Sequence, residues 1–414
     1  MQRSLVVSRF HWPLLCANVL IHFDNALYAY LIPVLAPLLF PDQTLVVQLM
    51  LGYGVWGASF VAKPMGVFLF GTMVLRRKEV HTLRCALIGA GLSLLFLSIL
   101  PFGSTLWHVV LLLMARMGIE ACAAGTHSIV KLYLLQGADA VLAKKKAVWY
   151  EMAGMVGILL ASVCGTWFAC MDHPLCYWQL PFLAGGISTM GITFLFGKGA
   201  SIETTCMPQV VFPKGCRGVG RQLWNERRAI VRIALATGFS YMTYVIPFVC
   251  MNGFVPLLTN ISYTAMMQHT TGLMVLDVLL LGLLGQLCPK YNHNNILAVV
   301  SGLLAVTIVP LFGGLRGASM VYATGVRIWV FVLGVLFCSC LNIWCKEQVS
   351  KQDATAYLTV GFATVLGSSL FGKTTPAICF ALFDGYQSPL APACYLAGLA
   401  FCTMLVMANS ASDA

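Results

Sequence analysis

Apolar residues run along this chain in long blocks, and short polar segments separate them. About 20 consecutive apolar residues are needed to cross a bilayer as a helix. Twelve blocks meet that length, at roughly 12–40, 46–74, 85–102, 106–135, 147–170, 177–197, 229–256, 264–287, 295–313, 326–345, 355–383 and 389–408. The alternating segments of about ten residues that mark a membrane barrel are absent. Only helices and closed barrels satisfy every backbone group in lipid. The pattern therefore predicts an all-α membrane protein with twelve transmembrane helices. The longest polar stretch, 198–228, is rich in Gly, Pro, Lys and Arg and divides six spans from six. The expected organisation is an N-terminal six-helix bundle over 1–197, a cytoplasmic central loop over 198–228 and a C-terminal six-helix bundle over 229–414.

Composition agrees with the pattern. The 414 residues are 59% hydrophobic and only 9% charged, against roughly 25% charged in soluble domains. The net charge of +11 raises the question of nucleic acid, but the basic residues sit in short segments between spans. With the N-terminus placed in the cytoplasm, 18 Lys and Arg fall on inside segments and one, Arg316, falls outside. The positive-inside rule then places both termini in the cytoplasm. Residues 1–12 read as a short tail before a retained first span, since the following run is too long for a signal-peptide core. The sixteen cysteines are scattered with no CxxC pair, so no metal site is expected. No nucleophile–base–acid set and no phosphate-binding glycine loop is visible. No enzyme activity, cofactor or nucleic-acid partner is expected.

Polar residues inside the apolar blocks carry the chemistry. Asp24 lies within the first block, where a carboxylate costs about 2.5–3.5 kcal/mol on insertion scales. Two readings stay open: a structural hydrogen bond to a neighbouring helix, or a site for a proton, an ion or a solute. In the fourth block Arg116, Glu120, His127 and Lys131 fall within an arc of about 60° and extend about 22 Å along one helix face. Arg116 and Glu120 are i,i+4 neighbours and can pair. This stripe is either an internal ion pair with a snorkelling lysine or one wall of a polar pathway. Arg116 offers a planar fork of donors that suits a carboxylate. Lys63, Lys131, Arg232, Arg327 and Lys373 add cations within or at the edges of spans, and Asp277 adds an acid in the eighth. That excess of cations favours acidic solutes. Groups able to exchange a proton are Asp24, Glu120, Asp277 and His127, whose imidazole type titrates near neutral pH.

Four stretches resemble the metabolite:proton symporter branch of the major facilitator superfamily. FDNALYAYLIPVLAPLLFP places Asp24 and Tyr28 at that branch's acid and tyrosine, and Phe40–Pro41 at its closing pair. FVAKPMGVFLFG in the second span has Lys63 in place of the branch's arginine. YWQLPFLAG in the sixth has Gln179 in place of arginine, and GFATVLGSSLFGKTTP matches the eleventh. The four occur in the family's order along most of the chain. The loop after the second span, GTMVLRRKEV, departs from the family's gating motif: Gly71, Arg76 and Arg77 remain, but Leu75 stands at the acid and Lys78 at the glycine. Its copy after the eighth span has Pro289 at the acid and Asn292 at the glycine. Thr126 stands where the branch has a fourth-span glutamate, with Glu120 six residues earlier.

The resemblance implies two six-helix bundles in the major facilitator fold. It implies secondary active transport of a small organic solute, a carboxylate or a zwitterion such as proline or betaine, driven by proton symport through alternating access. The expected proton-coupling residues are Asp24, Glu120, His127 and Asp277. The expected solute-binding residues are Tyr28, Arg116, Lys131 and Lys63, and the gating loop contributes Gly71, Arg76 and Arg77. The degenerate gating loops leave two alternatives open, an uncoupled facilitator of the same fold and a transporter-derived solute sensor. The expected partners are the solute, protons and the lipid bilayer. The expected form is a monomer in the plasma membrane, the inner membrane in a Gram-negative cell.

Overall fold

A computed structural model describes residues 2–76, 79–101, 103, 105–135, 140–171, 177–198, 221, 223–287, 293–349 and 354–412. These are almost wholly helical, as long apolar segments in lipid require. The helices are α1 (Gln2–Leu39), α2 (Leu45–Ala58), α3 (Ala62–Arg76), α4 (Glu79–Ile99), α5 (Leu106–Leu135), α6 (Ala140–Ala169) and α7 (Gln179–Lys198). There follow α8 (Arg227–Val245), α9 (Met251–Leu258), α10 (Tyr263–Leu287), α11 (His293–Gly313), α12 (Met320–Glu347), α13 (Ala354–Gly367), α14 (Thr375–Tyr386) and α15 (Leu390–Ser412). Among the described residues eleven helical segments are long and apolar enough to cross a membrane. The helix α7, of 20 residues, lies between the fifth and sixth of them. The chain is a multi-pass helical membrane protein.

Local chemistry explains where these helices depart from simple rods. The first helix starts at Gln2, well before the apolar block, so the expected tail is helical; neither glycine nor proline interrupts it before Pro13. Pro33 and Pro37 also lie inside α1. The second span is two helices joined by a tight 3₁₀ turn, Ser59–Val61. Pro64, just beyond that turn, has no N–H to give to the preceding turn. Most of the polar stretch 198–228 lies outside the described residues.

Packing divides the chain into two compact units. Unit 1 comprises Met1–Pro41 and Ala58–Met207; unit 2 comprises Asp42–Gly57 and Pro208–Ala414. In unit 1 the first span packs on the fifth (α1 on α6), the second on the fourth (α3 on α5) and the third on the sixth (α4 on α7). The same order recurs in unit 2. There α8 packs on α13 and the turn after it, α10 on α12, and α11 on α15. Lipid supplies no hydrophobic drive between spans, so close backbone approach matters more. Gly66 on α3 shows this, because a Cβ there would overlap the backbone of Ala121 on α5.

Two π-helical turns interrupt spans of unit 2, Ile246–Cys250 between α8 and α9 and Ser368–Lys373 between α13 and α14. A π-turn breaks the regular i→i−4 ladder, and its buried carbonyls need other donors. In the first turn three successive carbonyls find side chains. Pro247 O accepts from Arg327 Nε at 2.7 Å, Phe248 O from Asn252 Nδ2 at 2.7 Å, and Val249 O from the Tyr53 hydroxyl at 3.4 Å. In the second, the Thr374 and Thr375 hydroxyls donate to Leu370 O and Phe371 O.

Candidate functional site

In unit 1 the site is built around Arg116, at the middle of α5 and fully buried. Its Nη2 donates to Asn25 Oδ1 of α1 at 3.1 Å and lies 3.5 Å from Glu120 Oε1, one turn along its own helix. The guanidinium plane stands over the Tyr28 ring, with Cζ 4.5 Å from the centroid. A weakly hydrated, planar cation favours such a face. Nε and Nη1 are buried and have no hydrogen-bond partner among the described residues. A cation this deep normally has every donor satisfied, so these two donors set Arg116 apart.

Glu120 is also fully buried. Its Oε2 lies 3.5 Å from Lys63 Nζ, which reaches across from α3, where Gly66 lets α5 approach. Lys63 keeps 15% of its side chain exposed, while Glu120 keeps none. Asp24 is buried on α1, and Arg116 acts on it electrostatically. Its Oδ1 takes no hydrogen bond among the described residues. That oxygen occupies the room left by Gly185 of α7, where a Cβ would come within 2.5 Å of it. At their ordinary charges, Asp24, Lys63, Arg116 and Glu120 sum to zero.

Five of the sequence-expected residues thus meet in unit 1: Asp24, Tyr28, Lys63, Arg116 and Glu120. The side chains of His127 and Lys131, further along α5, lie outside the described part, and so do Arg76 and Arg77. Gly71 is exposed on α3 with open space around it. Asp277 belongs to unit 2, on α10. It is buried, and its Oδ2 takes no hydrogen bond among the described residues. Thr270, one face-turn before Asp277, is engaged elsewhere, accepting from Arg327 Nη2 and donating to Asn252 Oδ1.

Sequence reasoning missed Asn25, the direct partner of Arg116. Its signal was an amide beside Asp24 in an otherwise apolar run. Arg327 was counted only as a cation. It proves to be a fully buried clamp on α12 that holds Pro247 O, Met266 O and Thr270 Oγ1. Arg116 and Arg327 occupy the fourth span of their respective units, yet of the two only Arg116 has guanidinium donors that find no partner among the described residues.

No family model matches the chain. Full-length relatives do. It is 20% identical over 381 residues to the alpha-ketoglutarate permease of Escherichia coli K12, covering 88% of this chain and 85% of that protein. It is 21% identical over 402 residues to the citrate-proton symporter of Klebsiella pneumoniae, covering 94% and 88%. The structure is similar to that of the xylose transporter of Escherichia coli, with a TM-score of 0.74 at 14% identity over 98% of both chains. These relatives are transporters, not enzymes. With that fold and similarity that spans nearly the whole sequence, the chain is a membrane protein of the major facilitator fold, similar to symporters and permeases for small metabolites, and a secondary transporter of small solutes.

Proposed function

We propose that the chain moves a small carboxylate-bearing solute, an organic acid or a zwitterion such as proline or betaine, together with a proton by alternating access. The observation that carries this reading is Arg116, buried with Nε and Nη1 taking no partner among the described residues, and acting electrostatically on Asp24, whose Oδ1 takes none there either. Arg116 receives the carboxylate, and Tyr28 holds the guanidinium plane through its ring face. Glu120 and Lys63 fix the neutral surroundings. An organic acid arriving at Arg116 makes the group net negative, and a proton on Asp24 restores neutrality; a zwitterion brings its own positive charge, so the coupling below applies to the organic-acid case. An uncompensated charge at membrane depth costs about 2.5–3.5 kcal/mol. Proton and solute therefore raise each other's affinity, on the order of 100-fold, and the effect is reciprocal. His127, Lys131 and Asp277 are secondary candidates. Both termini lie in the cytoplasm, 198–228 is a central loop between the two bundles, and the protein acts as a monomer in the plasma membrane.

The degenerate gating loops, with Leu75 and Pro289 at the acid positions, favour a second reading, an uncoupled facilitator. Proteoliposomes separate the two. Uptake of a carboxylate under an imposed pH gradient should exceed uptake without one, and should overshoot the external concentration. Equal rates would establish the facilitator and remove the proton from the mechanism. Binding without flux would point to a sensor.

A further inference from the structure

A membrane-crossing segment of unit 2 begins at Arg227, the first residue of α8. Burial settles which way its first two turns face. Ala229, Ile230, Ile233 and Ala234 are buried, and at 100° per residue they share one side of the helix. The opposite side carries Arg227, Arg228 and Val231, all exposed. Val231 keeps 58% of its surface open. On a membrane-crossing helix such an apolar side chain faces lipid. Arg228 and Arg227 stand three and four residues before Val231, about 5–6 Å nearer the end of the segment. That is the boundary between acyl chains and headgroups, where basic side chains and tryptophans collect.

Trp224 completes this face. It is 69% exposed, and Arg227 holds it in two ways. Nη1 of Arg227 donates to Trp224 O at 3.1 Å, and Cζ stands 5.5 Å from the centroid of the indole. Arg221, also exposed, lies three residues further out. Three arginines and one acid, Glu226, give residues 221–228 a net charge of +2. On a soluble protein this would be an ordinary solvated patch. Here it borders the bilayer, and a lipid phosphate is the anion whose geometry the planar guanidinium fork matches. The net positive charge favours a headgroup with net negative charge over a zwitterionic one.

We infer that Trp224, Arg227 and Arg228, with Arg221 beside them, form a binding surface for an anionic phospholipid. The guanidinium groups take the headgroup phosphate, Trp224 sits at the level of the glycerol backbone, and Val231 packs against the upper acyl chain. Lipid held here fixes the entry of α8, the helix that runs on into the first π-turn, Ile246–Cys250. The surface uses neither the solute site nor the proton, so it stands apart from the transport reading.

The test uses the full chain in a neutral detergent, with phosphatidylglycerol, phosphatidylcholine and inorganic phosphate as probes. Native mass spectrometry counts retained lipid, and thermal unfolding is followed as each probe is added. Wild type should retain phosphatidylglycerol and melt at a higher temperature with it, and salt at about 0.5 M should weaken the effect. Phosphatidylcholine and inorganic phosphate should give little of either. The double variant Arg227→Gln, Arg228→Gln should bind phosphatidylglycerol about 25-fold more weakly, roughly fivefold for each basic residue lost beside an anionic surface. The double variant Arg227→Lys, Arg228→Lys should keep most of the affinity, which separates a charge effect from misfolding. Equal retention of the two lipids by wild type overturns the inference, and this comparison needs no variant. Unchanged phosphatidylglycerol affinity in the folded glutamine variant overturns it too. A rise in melting temperature with inorganic phosphate as large as with phosphatidylglycerol would make this a site for a soluble anion instead.

Discussion

Glu120 of α5 stands 3.5 Å from Lys63 of α3 and 3.5 Å from Arg116 on its own helix, so one buried carboxylate serves two cations. The expected consequence is asymmetric. Glu120→Gln leaves Arg116 buried without its counter-charge, and breaking a buried pair from one side costs about 3–5 kcal/mol. Adding Lys63→Met to that variant should recover part of the loss, because the second cation no longer lacks a partner. Thermal unfolding in detergent across the double-mutant cycle checks this. Additive effects would show that the two residues are not coupled.

Asp24 is the proton-bearing group of the proposed mechanism. Asp24→Asn should abolish accumulation driven by a pH gradient while sparing solute exchange between equal pools. Counterflow and gradient-driven uptake, measured on the same vesicles, distinguish the two. Unchanged accumulation in Asp24→Asn removes this residue from the coupling. Gly185→Ala approaches the same point by geometry, since its new methyl would displace Asp24 Oδ1. It should impair accumulation with a smaller effect on the fold.

Arg116 acts through a planar fork and its ring stacking as well as through its charge. Arg116→Lys keeps the charge but loses both the fork and the fit over Tyr28. Solute affinity, read as the KM for uptake, should weaken about tenfold or more, on the scale of one lost charged hydrogen bond. Wild-type kinetics in Arg116→Lys would show that a point charge suffices and that no carboxylate fork is used.

Arg327 should behave differently from Arg116. Arg327→Met strips Pro247 O of its side-chain donor and leaves Met266 O only the Thr270 hydroxyl among side-chain donors, and a buried acceptor left unsatisfied costs about 1–3 kcal/mol. A lower melting temperature is expected, with the KM of the surviving folded protein unchanged. A selective rise in KM with normal stability would instead place Arg327 in solute binding.

Much of the site was legible because it is local. Arg116 and Glu120 are one turn apart on a helix that the apolar run made certain, and i,i+4 geometry brings them together whatever the rest of the protein does. The cost of a carboxylate in an apolar block likewise singled out Asp24 without reference to any neighbour. Lys63 was legible as a cation, but its contact with Glu120 was not. That contact depends on α3 approaching α5 closely at Gly66. Asn25 was overlooked because an amide bears no net charge, and its value appears only where α1 turns it towards Arg116.

Taken alone, the sequence determined the number and type of the spans, since a bilayer demands a fixed length of apolar residues that no distant contact can replace. It determined the i,i+4 pair and the family resemblance as well. Tertiary structure decided which buried arginine keeps open donors and which is consumed. The identical side chains of Arg116 and Arg327 sit in equivalent spans, and only the helices packed around them set their roles. It also decided that Lys373 covers Trp56, 317 positions away in the chain. Side-chain contacts between spans are not written in the periodicity of either span. They follow from the order in which helices pack and from the π-turns that break the ladder, and both arise from the folded whole.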